Sequence, residues 1–340
     1  MLVLVAVGLY LGLLDAVARW PGSLPGDLVI AEAGGSATLL HTSSSLAPER
    51  VAAVRATPGI SVLHPLHGRL AWLERDGRHA LVFLVGVDRR GTFGGPVGML
   101  AGRRVPRIDE IVIDRVLAHD LRVGLGDRLR IGPASLRVGG IADGGNAVLG
   151  SYAFVSLGTL QAGGVTDASY LFAGLDRGED RGAIQARLET IPGLRVLSRT
   201  AFLAQNQSLA RQLLLPLIAT LAAITAAVSG AIVALVLYTT AVEHRTDWGL
   251  LSAVGVPTAR LFATVILQAV LATGAGVVIG LLGGRLLGVA IPMVEPRFVT
   301  IMPVWLDASI AAAAIAIGLA ASIAPVRAVA AVDPGSVFRA

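Results

Sequence analysis

Glu243-His244-Arg245-Thr246-Asp247-Trp248-Gly249-Leu250-Leu251-Ser252-Ala253-Val254-Gly255-Val256-Pro257 is a charged, helix-compatible stretch hung between two apolar segments, residues 213–238 and 261–291. A membrane span needs roughly 20 apolar residues, and both flanking segments exceed that. A third long apolar segment follows at 305–326, and a shorter apolar run precedes at 2–14. The fold class follows from this order: an α-helical membrane bundle of four transmembrane helices, with an extracytoplasmic mixed α/β domain inserted between the first and the second. The stretch 243–257 alternates charge, then offers a Trp, then small and apolar residues. That composition fits a short amphipathic helix at the membrane surface, and equally a solvated connector with an interfacial Trp.

Hydrophobic residues make up 54% of the chain, charged residues 15%, and the mean hydropathy is +0.72. A soluble domain averages about 25% charged residues, so composition alone argues for membrane. The charge is uneven: most Arg, Asp and Glu fall between Arg19 and Arg211. The net charge of +5 comes from Arg scattered among acidic residues rather than clustered, which excludes nucleic acid as a partner. All 28 basic residues are Arg, with no Lys. A P-loop needs G-x-x-x-x-G-K-[ST], its Lys reaching the β/γ-phosphates. No ATP site of that type can be built here, so the chain is expected to hold no cofactor and not to be an enzyme. Cysteine is absent, which removes disulfides and thiolate metal sites.

The first transmembrane helix is assigned to residues 1–20. Its apolar run is only about 13 residues long against the roughly 20 of a span, and Asp15 interrupts it. Ala16-Val17-Ala18 spells an A-x-A cleavage pattern, but no basic residue precedes the run as a signal peptide requires. A start upstream of Met1 is the alternative. Residues 21–209 read as the outer domain. A short helix at 48–56 is stopped by Thr57-Pro58-Gly59. Strands at 60–63, 69–73 and 80–85 are separated by His-Pro and Arg-Asp-Gly turn signals. A strand at 110–113, a helix at 114–121, a hairpin at 128–131 and 135–141, and a strand at 152–157 follow. A strand–helix–strand unit at 170–175, 180–190 and 194–197 ends the domain, and a polar helix at 201–211 leads into the membrane. Residues 210–340 form the largely apolar, membrane-spanning remainder. Arg245 and Arg260 lie in the connection 239–260, and Arg327 and Arg339 follow the last span. Positive-inside counting therefore puts the connection in the cytoplasm, the large domain outside, and 292–304 in a short outer loop.

Small residues recur every fourth position in the spans. Gly276, Gly280, Gly284 and Gly288 share one face of the third; Ala312, Ala316, Ala320 and Ala324 share one of the fourth. Such stripes let helix backbones approach where lipid gives no hydrophobic drive, either within the chain or at a dimer seam. Arg285 is the one ionisable residue well inside a span and is expected to snorkel to the outer interface. With no charge pair read inside the spans, an ion-coupled carrier is disfavoured. The six His residues show no metal-ligand spacing, and no G-x-S-x-G nucleophile elbow occurs.

The stretch from Glu243 to Gly255 resembles the E-x-R-x-x-[E]-[I]-G-[LV]-x-[RS]-A-[LIV]-G signature of FtsX-like permease domains, the membrane subunits of MacB-type ABC systems. Asp247 and Trp248 stand where Glu and Ile are usual. The glycine-rich 274–288 and the closing Pro325-Val326-Arg327-Ala328-Val329-Ala330-Ala331-Val332-Asp333-Pro334 resemble later family segments. So do, in the outer domain, Asp109-Glu110-Ile111-Val112-Ile113-Asp114, Leu125-Gly126-Asp127, Val138-Gly139-Gly140-Ile141 and Phe154-Val155-Ser156-Leu157, which are similar to the family's periplasmic core domain, nearest its DevC-like branch. The cytoplasmic amphipathic helix that precedes the first span in the family has no counterpart here.

The resemblance implies a multi-pass protein of the bacterial inner (cytoplasmic) membrane. Its implied partners are a separate ABC ATPase carrying ATP and Mg, a second permease copy or paralogue forming a dimer, a membrane-fusion protein, and the lipid bilayer. It makes 243–255 a cytoplasmic coupling helix, with Glu243, Arg245, Asp247, Trp248, Gly249, Leu250, Leu251, Ala253 and Gly255 meeting the ATPase. Two functions are implied: export of a lipid, peptide or lipoprotein-like cargo driven by motion passed to the outer domain, or FtsX-type signalling to an outer cell-wall hydrolase. The outer domain is large for the signalling type.

Overall fold

The computed structural model describes residues 1–34, 38–39, 44–88, 91, 93–145, 150–244, 247, 250–251, 254 and 256–323. Among them four helices are long and apolar enough to cross a membrane, within α1 (Leu2–Ser23), α6 (Arg199–Glu243), α7 (Thr258–Val294) and α8 (Val304–Ala321). Between α1 and α6 the chain alternates strands and short helices. In order these are β1 (Leu28–Glu32), α2 (Pro48–Arg55), β2 (Ile60–Leu66), β3 (Gly68–Arg75), β4 (Arg78–Val87), β5 (Gly98–Gly102), β6 (Glu110–Asp114), α3 (Arg115–Leu121), β7 (Arg128–Ile131), β8 (Ala134–Asp143), β9 (Ser151–Ser156), α4 (Leu157–Ala162), β10 (Tyr170–Leu175), α5 (Arg181–Glu189) and β11 (Leu194–Ser198). The chain divides into two compact units: an outer unit of 12–212 with 296–299, and a membrane unit of 1–11, 213–295 and 300–340. The outer unit therefore takes up half of α1, the start of α6 and four residues of the expected outer loop, beyond the boundaries 21 and 209 read from polarity.

Two sheets build the outer unit. The first has the order β11-β1-β10-β2 with every neighbour antiparallel. This is the split β-α-β arrangement, and its second half returns only after β3–β9 have been inserted. Its apolar residues Leu28, Ile30, Leu171 and Ala173 pack beneath Val54 of α2 and Ile184 and Leu188 of α5.

The second sheet, β5-β8-β6-β9-β4-β3-β7, closes on itself because β8 is shared. Its first residues pair with β7 and its last with β5, while β6 lies along its other side. The ring β8-β6-β9-β4-β3-β7 has no free edge to attract foreign strands, and the five-residue β5 hangs on β8 outside it as a short edge. Inside it Leu73, Val82, Ile111, Ile113, Leu129, Val138 and Val155 form one core with Leu117 and Leu121 of α3 and Leu160 of α4. The β3–β4 turn is Asp76-Gly77 with φ of 47° and 75°, both left-handed, as a two-residue hairpin turn matched to strand twist requires.

The amide and guanidinium groups at the start of α6 explain its polarity. Gln207 donates to the Leu14 carbonyl at 2.8 Å, Arg199 donates to the Gly22 carbonyl, and Asn206 Oδ1 accepts from Leu39 N–H at 3.0 Å. Trp20 of α1 is fully buried, its indole donating to the Gly95 carbonyl at 3.0 Å and its ring 4.3 Å from Tyr152.

Three expectations change. The first helix is not cut at Asp15: it runs 22 residues, since Arg19 one turn on meets that carboxylate at 2.7 Å. The polar helix at 201–211 and the span behind it are one 45-residue helix through Pro216. The spans do carry an ion pair. Arg285 of α7 donates through Nε to Asp307 Oδ2 of α8 at 2.9 Å, with a second bond from the same guanidinium. Pairing replaces snorkelling because Asp307 sits in the first turn of the neighbouring helix, within the guanidinium's reach.

Candidate functional site

The connection between α6 and α7 begins where α6 ends at Glu243, which is exposed. His244 N–H still bonds the Thr240 carbonyl at 3.2 Å, and His244 Nδ1 lies 3.0 Å from Asp247 Oδ2. Asp247, Leu250 and Leu251 are helical. The turn closes with Val254 N–H on the Leu250 carbonyl at 3.1 Å and Val256 N–H on the Leu251 carbonyl at 3.0 Å. Pro257 then caps α7, its fixed φ of −64° suiting a helix start.

Residues 247, 250, 251 and 254 are spaced i, i+3, i+4, i+7, so they share one helix face. That face is acidic at its start and apolar beyond, and it is uncovered: Leu250 is 47% exposed, Leu251 43% and Val254 84%. Val254 was not among the residues singled out from the sequence; its i+4 relation to Leu250 was the available signal. Of the coupling residues named above, Arg245, Trp248, Gly249, Ala253 and Gly255 lie outside the described residues.

The glycine stripe of α7 is not uniform. A Cβ at Gly284 would lie 2.8 Å from Leu4 of α1, and one at Gly288 would lie 2.8 Å from the Met302 sulfur. One at Gly280 would lie 3.3 Å from the Met1 nitrogen, whereas among the described residues nothing lies within 4 Å of one at Gly276. Close packing thus occupies the outer part of the stripe and leaves Gly276 open.

Two carboxylates of the outer unit are buried and serve the fold. Burial works to raise the Glu110 pKa. The Arg107 N–H at 3.1 Å and the Arg137 guanidinium at 2.6 Å, helped by Arg103, outweigh it and hold Glu110 below its ordinary value. Asp114 is fully buried, and burial raises its pKa. It nevertheless caps α3 through Val116 N–H and takes a second bond from Gly145 N–H, each at 2.9 Å.

The chain matches the family model described as MacB-like periplasmic core domain over residues 1–191, and that of the FtsX-like permease C-terminal over 219–334. An uncharacterized ABC transporter permease of Mycobacterium bovis is 28% identical over 348 residues, which is 98% of this chain and 90% of the relative. A second uncharacterized ABC transporter permease, from Mycobacterium tuberculosis, is 26% identical over 343 residues with the same two shares, 98% and 90%. Among solved structures, the extracellular domain of the noncanonic ABC-type transporter YknZ from Gram-positive bacteria aligns at 13% identity and a TM-score of 0.38, covering 50% of this chain and 99% of that one. The periplasmic region of MacB from Actinobacillus actinomycetemcomitans aligns at 12% identity and the same TM-score, 0.38, over 52% of this chain and 89% of its own.

Proposed function

The chain belongs to the MacB-like, FtsX-type ABC transporter permeases, multi-pass membrane proteins with a large domain outside, and from that premise we propose that it carries ATP-driven motion from a separate ATPase to its outer domain and so exports a cargo of lipid, peptide or lipoprotein type. The observation that carries the reading is the uncovered face of Leu250, Leu251 and Val254 on the connection between α6 and α7. Apolar side chains held on a helical turn and left open to solvent suit a groove on another protein. Each is worth about 1.5–3 kcal/mol when fully buried.

Glu243 and Asp247 stand at the rim of that face. Solvated rim charges steer and orient association more than they hold it. Trp248, by its place in the sequence, adds apolar area to the same segment, and Arg245 adds charge. ATP and Mg belong to the partner, since this chain has no Lys for a P-loop. The ATPase acts on a dimer of permeases in this reading, and a membrane-fusion protein receives the cargo outside.

The covalent route for motion is short. The boundary between the two units falls inside α1 and α6, so each of these helices contributes to both without an intervening loop. A helix transmits displacement along its axis because its backbone is hydrogen-bonded to itself turn by turn, a ladder that α6 interrupts at Pro216.

The test is co-purification and ATPase stimulation with Leu250→Asp combined with Val254→Asp. The expected result is loss of ATPase capture by at least tenfold while the outer domain keeps its fold. Normal capture and normal stimulation would reduce the segment to a connector. Intact coupling with stimulation of an outer cell-wall hydrolase, and no cargo movement, would favour the signalling alternative.

A further inference from the structure

Trp72 and Leu81 face each other across the β3–β4 pairing, and Leu70 lies next on the same face. The core is complete on the other face of these strands, through Leu73 and Val82. Trp72 is nevertheless 60% exposed, with Leu70 at 40% and Leu81 at 37%. The pair borders a cleft of about 470 Å³ at the start of β4, whose polar lining is Arg78, His79, Asp120, Ser151 and Arg297. Arg297 grips Asp120 with two bonds, Nη2 to Oδ2 at 2.7 Å and Nε to Oδ1 at 3.3 Å, and Arg78 donates to the Asp120 backbone carbonyl at 3.1 Å. The single carboxylate of the cleft is thereby neutralised, which leaves it with a surplus of guanidinium.

Arg297 also says where this cleft is. It lies in the connection 295–303 that joins α7 to α8, three residues beyond the last residue of α7, Val294. An extended chain covers about 3.3–3.6 Å per residue, so Arg297 stays within roughly 10 Å of the end of that span. The Trp72 patch thus shares a cleft with a residue three positions beyond the end of a helix long and apolar enough to cross a membrane.

We propose that this patch is a lipid-docking surface: Trp72, Leu70 and Leu81 enter the headgroup layer of the outer leaflet, and Arg78 and Arg297 face lipid phosphates. Trp has an apolar body and a polar N–H and concentrates where one end is apolar and the other wet. Guanidinium meets phosphate with paired bonds. The occupant is the leaflet in which the chain is embedded, and the inference is independent of which cargo is moved. Docked in this way, the ring of strands β8-β6-β9-β4-β3-β7 would be held to the leaflet at one end.

The chain has no Cys, so a single introduced thiol can be labelled without background. Leu81→Cys reports on the patch. Ile108→Cys is the control: it is 68% exposed and lines a cleft with Asp88, the residue after β4, at the other end of that ten-residue strand. Seven residues along the strand separate Leu81 from Asp88, which puts the two sites roughly 23 Å apart. The full chain, labelled with a fluorophore, is placed in nanodiscs of phosphatidylcholine, with and without phosphatidylglycerol, carrying a headgroup-level nitroxide lipid. The expected result is at least twofold quenching at position 81 and none at 108, with more quenching when phosphatidylglycerol is present and less in the Arg78→Ala background. Leu70→Cys repeats the reading should position 81 not accept the label. Equal access of a water-borne quencher to 81 and 108 would overturn the proposal. So would shielding of 81 from both water-borne and lipid-borne quenchers, which would mean that another protein surface covers it.

Discussion

In strand β6, Ile111, Val112 and Ile113 are all fully buried; in helix α7, Ile279 and Leu286 are each 72% exposed and Leu282 66%. The side chains are of the same kind, and only their destination differs. The outer unit hides most of its apolar residues in cores beneath its sheets and helices because water surrounds it, and burial is the main drive for its folding. The membrane unit displays them, since lipid is as apolar as leucine and exposure to it costs nothing. What holds its helices is close packing at small residues and the pairing of polar groups. The same kind of substitution must therefore cost much in the outer unit and little on the lipid-facing helix surface.

The largest expected effect follows directly. Ile113→Ala should cost the outer unit about 3–4 kcal/mol, the usual range for emptying a packed core site. For a domain of this size that is a fall of roughly 10 °C in Tm. Leu282→Ala in the lipid-facing row should change stability by no more than about 0.5 kcal/mol. Thermal unfolding of the detergent-solubilised chain, followed separately by outer-domain proteolysis and by helix signal, measures both. Equal losses at the two positions would break the comparison.

Next in size is the pair across α7 and α8. Arg285→Ala leaves Asp307 charged beside the membrane with no partner, at a cost of up to about 3 kcal/mol for an acid in a span. Arg285→Asp combined with Asp307→Arg should recover most of that loss. A double variant no better than the worse single one would mean that the pair is incidental.

Much of this design is legible from local sequence. The hairpin at 128–143 follows from alternation around Gly132-Pro133-Ala134. The cap at Asp114 marks the start of α3, and the three long spans follow from their apolar length. What escaped depends on neighbours distant in the chain or on weak local signal. Gly98–Gly102 has glycines at both ends and little strand preference of its own, and it exists as β5 because β8 offers it an edge. Helix α4 begins where Ser156 Oγ accepts from Thr159 N–H at 3.1 Å, a capping signal overridden by the apolar run leading into Leu157. The sharing of β8 between β7, β5 and β6 leaves no trace in any window of sequence. Asp307 lies 22 residues from Arg285, and only the packing of α8 beside α7 brings the two together. In the inner connection, the charged and apolar pattern was readable. Which residues make one exposed face depended on the helical phase that brings Val254 alongside Leu250.

A smaller effect separates the two halves of the glycine stripe. Gly284→Val must displace Leu4 and should cost about 2 kcal/mol, in the range for overpacking. A Cβ at Gly276 meets nothing within 4 Å among the described residues, so Gly276→Val should leave the monomer unchanged. Loss of dimer on size-exclusion chromatography with Gly276→Val, and an unaltered monomer, would make that open half of the stripe the seam between permease copies.

The central claim is that motion begun at the inner connection reaches the outer unit. Hydrogen exchange of residues 12–212 in the reconstituted permease–ATPase complex, compared between ADP and a trapped ATP state, tests it most directly. The account predicts a change of at least severalfold in amide exchange at the outer-unit ends of α1 and α6, residues 12–23 and 199–212, and no such change when Leu250→Asp and Val254→Asp are present. Identical exchange in the two nucleotide states, in a complex that still hydrolyses ATP and moves cargo, would contradict it.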